Sequence, residues 1–133
     1  MLSHMSQPPF RPYVAADNKM PEFTLRAVLL GVIISVILGA ANAYLGLKAG
    51  MTVAATYPAA VIAMAILRIR KASILEENIA RSAGSAGESI AAGAIFTIPA
   101  FIISGVWPSF SSESAYLQST AFMAVGGVIG ILF

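Results

Sequence analysis

Four apolar stretches free of Asp, Glu, Lys and Arg run along this chain, from Ala27 to Leu47, Ala49 to Leu67, Ser89 to Ser112 and Ser114 to Phe133. A bilayer core takes roughly 20 apolar residues per helix. The stretches lack the strict alternation of barrel strands and are longer than such strands need to be. They predict transmembrane helices at about 26–45, 51–67, 84–106 and 116–133. Between the second and third, Ile74, Leu75 and Ile79 form one apolar stripe surrounded by Glu76, Glu77, Asn78 and Arg81. With Ser73 and Glu76 at capping-box spacing, this predicts a short interfacial helix over about 73–81.

Composition moves the reading toward lipid. Of the 133 residues, 58% are hydrophobic and 11% charged, against about 45–50% and about 25% in soluble domains. A soluble domain this small exposes too much of its surface to hide such a surplus. The predicted fold class is therefore all-α, a polytopic membrane helix bundle of about four transmembrane helices over 23–133. Residues 1–22 are polar and hold Pro8, Pro9 and Pro12, as in a flexible cytoplasmic tail. Ser3-His4-Met5 has the look of a vector remnant, with Met5 as the native start.

Charge supplies an orientation. Arg11, Lys19 and Arg26 precede the first helix, and Arg68, Arg70, Lys71 and Arg81 link the second to the third. Lys48 stands alone in the first outer hairpin, so seven basic residues face one. By the positive-inside rule this is a multi-pass protein of the cell inner (plasma) membrane with a cytoplasmic N-terminus. Trp107, Phe110 and Tyr116 cluster at the second outer hairpin, where aromatic rings favour the interface. A signal-peptide reading, with Ala41-Asn42-Ala43 as a cleavage site, competes, but the charged leader is long and the apolar pattern resumes after Lys48.

The basic residues form no stripe of the kind nucleic-acid readers carry. The sequence holds no cysteine and a single histidine, His4, and shows no nucleophile–base pair, metal-ligand cluster or phosphate loop. These observations point away from an enzyme and call for no cofactor or metal.

Small residues recur at four-residue spacing, as helix contacts in lipid favour: Gly31, Ser35, Gly39 and Ala43; Ala55, Ala59 and Ala63; Gly93 and Thr97; Gly126 and Gly130. Pro58 and Pro99 fall inside the second and third predicted helices. There they act either as plain kinks or as the breaks that line transport sites. Asn42, Thr56, Tyr57, Glu88 and Thr97 are polar residues at membrane depth and the candidates for a substrate or proton pathway. Glu88 has a second reading, since Ser85 and Glu88 also have capping-box spacing at the start of the third helix.

Two blocks carry a resemblance. Asn42-Ala-Tyr-Leu-Gly-Leu-Lys-Ala-Gly-Met-Thr52, followed by Pro58-Ala-Ala-Val-Ile62, is similar to the first hairpin of the oligopeptide transporter (OPT) family. So is Glu77-Asn-Ile-Ala-Arg-Ser-Ala-Gly-Ser-Ala-Gly-Glu-Ser-Ile-Ala-Ala-Gly-Ala-Ile-Phe-Thr-Ile-Pro-Ala100. The likeness covers about 22–106 and resembles most the prokaryotic, yellow-stripe-like side of the family. It implies a secondary active, proton-coupled transporter for small peptides or metal chelates, with several times as many helices as this chain. The Asn-Pro-Gly motif of the peptide-transporting branch is absent.

The expected partners are thus the lipid bilayer, the remaining helices of a full-length parent, and a small peptide or metal chelate carried by that parent. The chain is read as a fragment, because Phe133 falls inside an apolar run, and alone it is not expected to transport. Two alternatives stand beside this. One is a complete four-helix transporter working as an oligomer, although such exporters place an acidic residue deep in the first helix and none occurs from Ala27 to Leu47. The other is a small bundle that anchors or assists a partner.

Overall fold

A computed structural model describes residues 11–15, 17–107 and 113–132. Those residues form four helices: α1 (Leu25–Ala49), α2 (Thr56–Ile69), α3 (Ile74–Ile103) and α4 (Glu113–Leu132). The all-α bundle expected from the hydropathy pattern is present. Phe110 and the first ten residues lie outside the described residues.

α1 begins where Thr24 turns the chain out of an extended conformation and its Oγ1 accepts from the Ala27 N–H at 3.4 Å. It ends at Gly50, whose φ of 69° is left-handed and whose N–H donates to the Gly46 carbonyl. Its 25 residues make about 37 Å of helix, enough to cross a hydrocarbon core of about 30 Å. Among the described residues, α1 and α3 are the two helices long and apolar enough to cross a membrane, and α2 is a shorter apolar helix.

α3 departs from expectation. The interfacial helix over 73–81 and the span from 84 are one continuous helix of 30 residues. The expected start at 84 falls within Ser82–Gly87, a run of Ser, Ala and Gly that contains no proline. Its small residues are there because α1 lies against them. A Cβ on Gly84 would stand 2.9 Å from Ile34 Cγ2, and one on Gly87 would overlap the Ser35 carbonyl oxygen. Thirty residues make about 45 Å, so the first turns, with Glu76, Glu77 and Arg81, project beyond the core.

α1 and α3 run parallel and meet along their small residues. On α1 these are Gly31, Ser35, Gly39 and Gly46; on α3, Ala80, Ala83, Gly84 and Gly87, with Ile95 over Gly46. The expected α1 stripe is therefore an interface. The Gly93 stripe of α3 and the Gly126–Gly130 stripe of α4 have open space where a Cβ would be. α2 runs antiparallel to α3 and buries Ala59 and Ala63. The interior is small while Leu29, Val32, Ile33, Val36 and Ile37 point outward, exposed. That inversion suits a bilayer, which solvates large apolar side chains and rewards close backbone approach.

One ionic clamp fixes the basic end. Glu76 is fully buried. It accepts from Arg26 Nε and Nη2, each at 2.8 Å, from Thr24 Oγ1, and from the Ser73 N–H at 3.0 Å. The Glu76 N–H in turn donates to Ser73 Oγ at 3.1 Å, so the expected capping box forms. Ser73 Oγ also donates to the Pro21 carbonyl, tying down the end of the segment read as a tail. The Arg26 guanidinium first, then the Thr24 hydroxyl, hold the Glu76 carboxyl down at about 2 against the opposing effect of burial.

Candidate functional site

α2 begins at Thr56, five residues later than the predicted start at 51. Its 14 residues make about 21 Å, well short of a bilayer core of about 30 Å. Because α2 ends at the basic Arg68–Lys71 turn, its N-terminus lies at depth, and 51–54 approaches it without helical structure. Irregular backbone at that depth persists only where protein or a water-filled cavity satisfies its polar groups.

Two side chains do this. Asn42, buried at 3% exposure, presents its carboxamide to Val53 as a peptide group would. Its Nδ2 donates to the Val53 carbonyl, and its Oδ1 accepts from the Val53 N–H, both at 2.8 Å. Glu88, half-buried, accepts from the Ala55 N–H through Oε2 at 2.7 Å. Ala55 is the N-cap of α2 and has no side-chain cap of its own. The carboxylate takes that role from another helix, satisfying an end donor and meeting the positive end of the α2 dipole.

This corrects the sequence reading of Glu88. It does not cap α3, which began fourteen residues earlier at Ile74, and Ser85 Oγ donates instead to the Ser82 carbonyl at 3.0 Å. Glu88 lies twelve residues beyond Glu76, about 18 Å along the helix. It reaches α2 because Gly87, beside it, lets α1 and α3 touch backbone to backbone.

The expected residues divide. Asn42, Thr56 and Glu88 gather around 53–56. Tyr57 is adjacent in the chain but 77% exposed. Thr97 stands nine residues above Glu88, about 13 Å along α3, and its Oγ1 donates to the Gly93 carbonyl at 2.7 Å. It lines a crevice of about 380 Å³ between α3 and α4, together with Ser119, Phe101 and Trp107. Pro58 does not interrupt a helix. It sits in the first turn of α2, where an N–H would have no intrahelical partner. Pro99 does lie inside α3 and withholds a donor from the Ile95 carbonyl.

Trp107 also differs from expectation. It is buried, not displayed at an interface: its Nε1 donates to Gln118 Oε1 at 2.9 Å, and its ring stacks on Phe101 at 4.9 Å. Tyr116 is exposed. Sequence reasoning missed the Glu76–Arg26 pair, because a glutamate at capping-box spacing is already explained locally. It also missed the backbone groups of Val53 and Ala55, which have no side-chain signature. Among the described residues no three His, Cys, Asp or Glu side chains converge as a metal site would require.

The sequence profile described as OPT oligopeptide transporter protein matches residues 22–133. The chain belongs to the OPT family. A Haemophilus influenzae protein described as a "Putative oligopeptide transporter" is 40% identical over 91 residues, 68% of this chain and 14% of that protein. This OPT-family chain thus spans about one-seventh of the curated relative it matches. No solved structure matches it. OPT membership and the apolar helices together make it a membrane protein of a transporter family. The broken segment between α1 and α2, held by Asn42 and Glu88, falls within the residues matched to the family.

Proposed function

We propose that this chain supplies the N-terminal helices of a secondary active, proton-coupled transporter of small peptides or metal chelates, and that the 51–57 segment borders the substrate path. The observation that carries the proposal is the Glu88 carboxylate of an apolar helix, bonded to the Ala55 amide that opens a short second helix. Transporters place such discontinuous helices at their substrate and ion sites, and an ionisable side chain within a span marks a pathway. In this reading Glu88 carries the coupling proton, while Asn42 keeps the broken segment in place and Thr56 and Tyr57 line the path. Thr97 and Pro99 belong to a second part of it, beside α4. The OPT relationship supports the transporter class, and the resemblance to the yellow-stripe-like side supports chelates alongside peptides. The protein sits in the inner membrane with its N-terminus in the cytoplasm.

The test is Glu88→Gln in the full-length transporter, with uptake of labelled tripeptide and of a metal chelate measured across pH at matched expression. Uptake that is lost, or no longer responds to pH, is the expected result. Unchanged uptake with an unchanged pH response would reduce Glu88 to a structural cap.

A further inference from the structure

The bonds that hold the broken segment differ in kind. Asn42 grips Val53 through two hydrogen bonds of a carboxamide that does not titrate. Glu88 grips Ala55 through one bond to a carboxylate, and a carboxylate can change charge. No cation is paired with it: the ion pairs among the described residues are Arg26–Glu76 and Arg68–Glu77. α1 has no Asp, Glu, Lys, Arg or His from Ala27 to Leu47, α2 none before Arg68, and α3 only Glu88 from Ser82 to Ile103. The other titratable groups in these stretches are Tyr44, whose hydroxyl accepts from Lys48 Nζ at 3.0 Å, and the exposed Tyr57. Glu113 and Tyr116 stand at the start of α4, the end where Gln118 meets Trp107.

With no cation paired to it among the described residues, the state of this carboxylate is linked to the amide it meets there. We propose that Glu88 is a proton-operated clasp on α2: ionised, it holds the Ala55 amide and the start of the helix against α3; protonated, it lets 54–57 swing about the fixed Asn42–Val53 joint. The proton comes from water and returns to it, so carboxylate and carboxylic acid interconvert with no other reactant. Protonation turns a charge-assisted bond into a weaker neutral one and removes the anion from the helix N-terminus. This deepens the proposed function and rests on Glu88 being the proton site.

The experiment is hydrogen exchange by mass spectrometry on the full-length transporter in lipid, without substrate, with rates corrected for the intrinsic pH dependence of exchange. On acidification, peptides covering 54–57 are expected to lose protection by roughly fivefold, the scale of one helix cap, while 60–67 stay protected. Glu88→Gln should hold 54–57 in the weakly protected state at every pH. Asn42→Ala should lower protection further and keep the pH response. A flat wild-type response overturns the clasp even if the glutamine variant does not fold, and so does a glutamine variant that keeps the wild-type response. Uptake on the same preparations separates the two ideas. A pH response in exchange with none in uptake keeps the clasp and removes proton coupling. A pH response in uptake with flat exchange does the reverse.

Discussion

Gly87 of α3 lies directly against the backbone of Ser35 of α1, so that a Cβ on Gly87 would overlap the Ser35 carbonyl oxygen. The Gly87 carbonyl oxygen is in turn 3.0 Å from where a Cβ on Gly39 would be. This contact sets the separation of the two long helices and carries Glu88, the next residue, toward the start of α2.

Gly87→Ala should therefore push α1 and α3 apart. Overpacking of this kind costs about 1–3 kcal/mol, and here the obstacle is backbone that cannot rotate aside. Gly93→Ala, on the same helix, meets open space and should leave stability unchanged or slightly raised. Thermal unfolding of the two variants in detergent, followed by intrinsic fluorescence, makes the comparison. Equal melting temperatures would mean that α1 and α3 are not in this contact.

The Glu76 clamp predicts an acid-sensitive end of the bundle. Its carboxyl is lowered from an ordinary 4.5 to about 2 in the folded protein. A depressed carboxyl contributes stability that is fully present above its unfolded value and is lost as pH falls through the window toward about 2. Glu76→Gln should lower the melting temperature near neutral pH and flatten the decline on acidification. Glu77→Gln removes only the 3.8 Å contact with the exposed Arg68 and should do little, as surface pairs generally do. Melting curves at several acidic pH values would show the difference, and identical acid profiles for wild type and Glu76→Gln would rule the clamp out.

Orientation can be read with single cysteines, since the native chain has none. Arg70, exposed in the α2–α3 turn, belongs to the basic side, and Ser112 lies in the link between α3 and α4. In intact cells an impermeant maleimide should label Ser112→Cys and spare Arg70→Cys, with the pattern reversed in inverted vesicles. Labelling of Arg70→Cys from outside would turn the bundle over.

Hydropathy by itself determined the membrane class and the four helices, the basic residues marked one end, and the residue blocks over 42–62 and 77–100 carried the family. Each of these is a local property: a bilayer solvates any sufficiently long apolar run, and charges at its ends need no partner elsewhere in the chain. The capping box of Ser73 and Glu76 was legible for the same reason, its partners being three residues apart. What the sequence left open depends on helix register. Ser82–Gly87 reads as the start of a separate third helix until Ile34 and Ser35 are seen to occupy the space that Gly84 and Gly87 leave. Glu88 reads as the cap of its own helix until α3 is found to start at Ile74 and Ala55, thirty-three residues away in sequence, to supply the amide. Asn42 and Val53 meet because the chain doubles back after Gly50. Only the tertiary structure could decide these, because a hydrogen bond is settled over a few tenths of an ångström, and such distances are fixed by how closely whole helices pack.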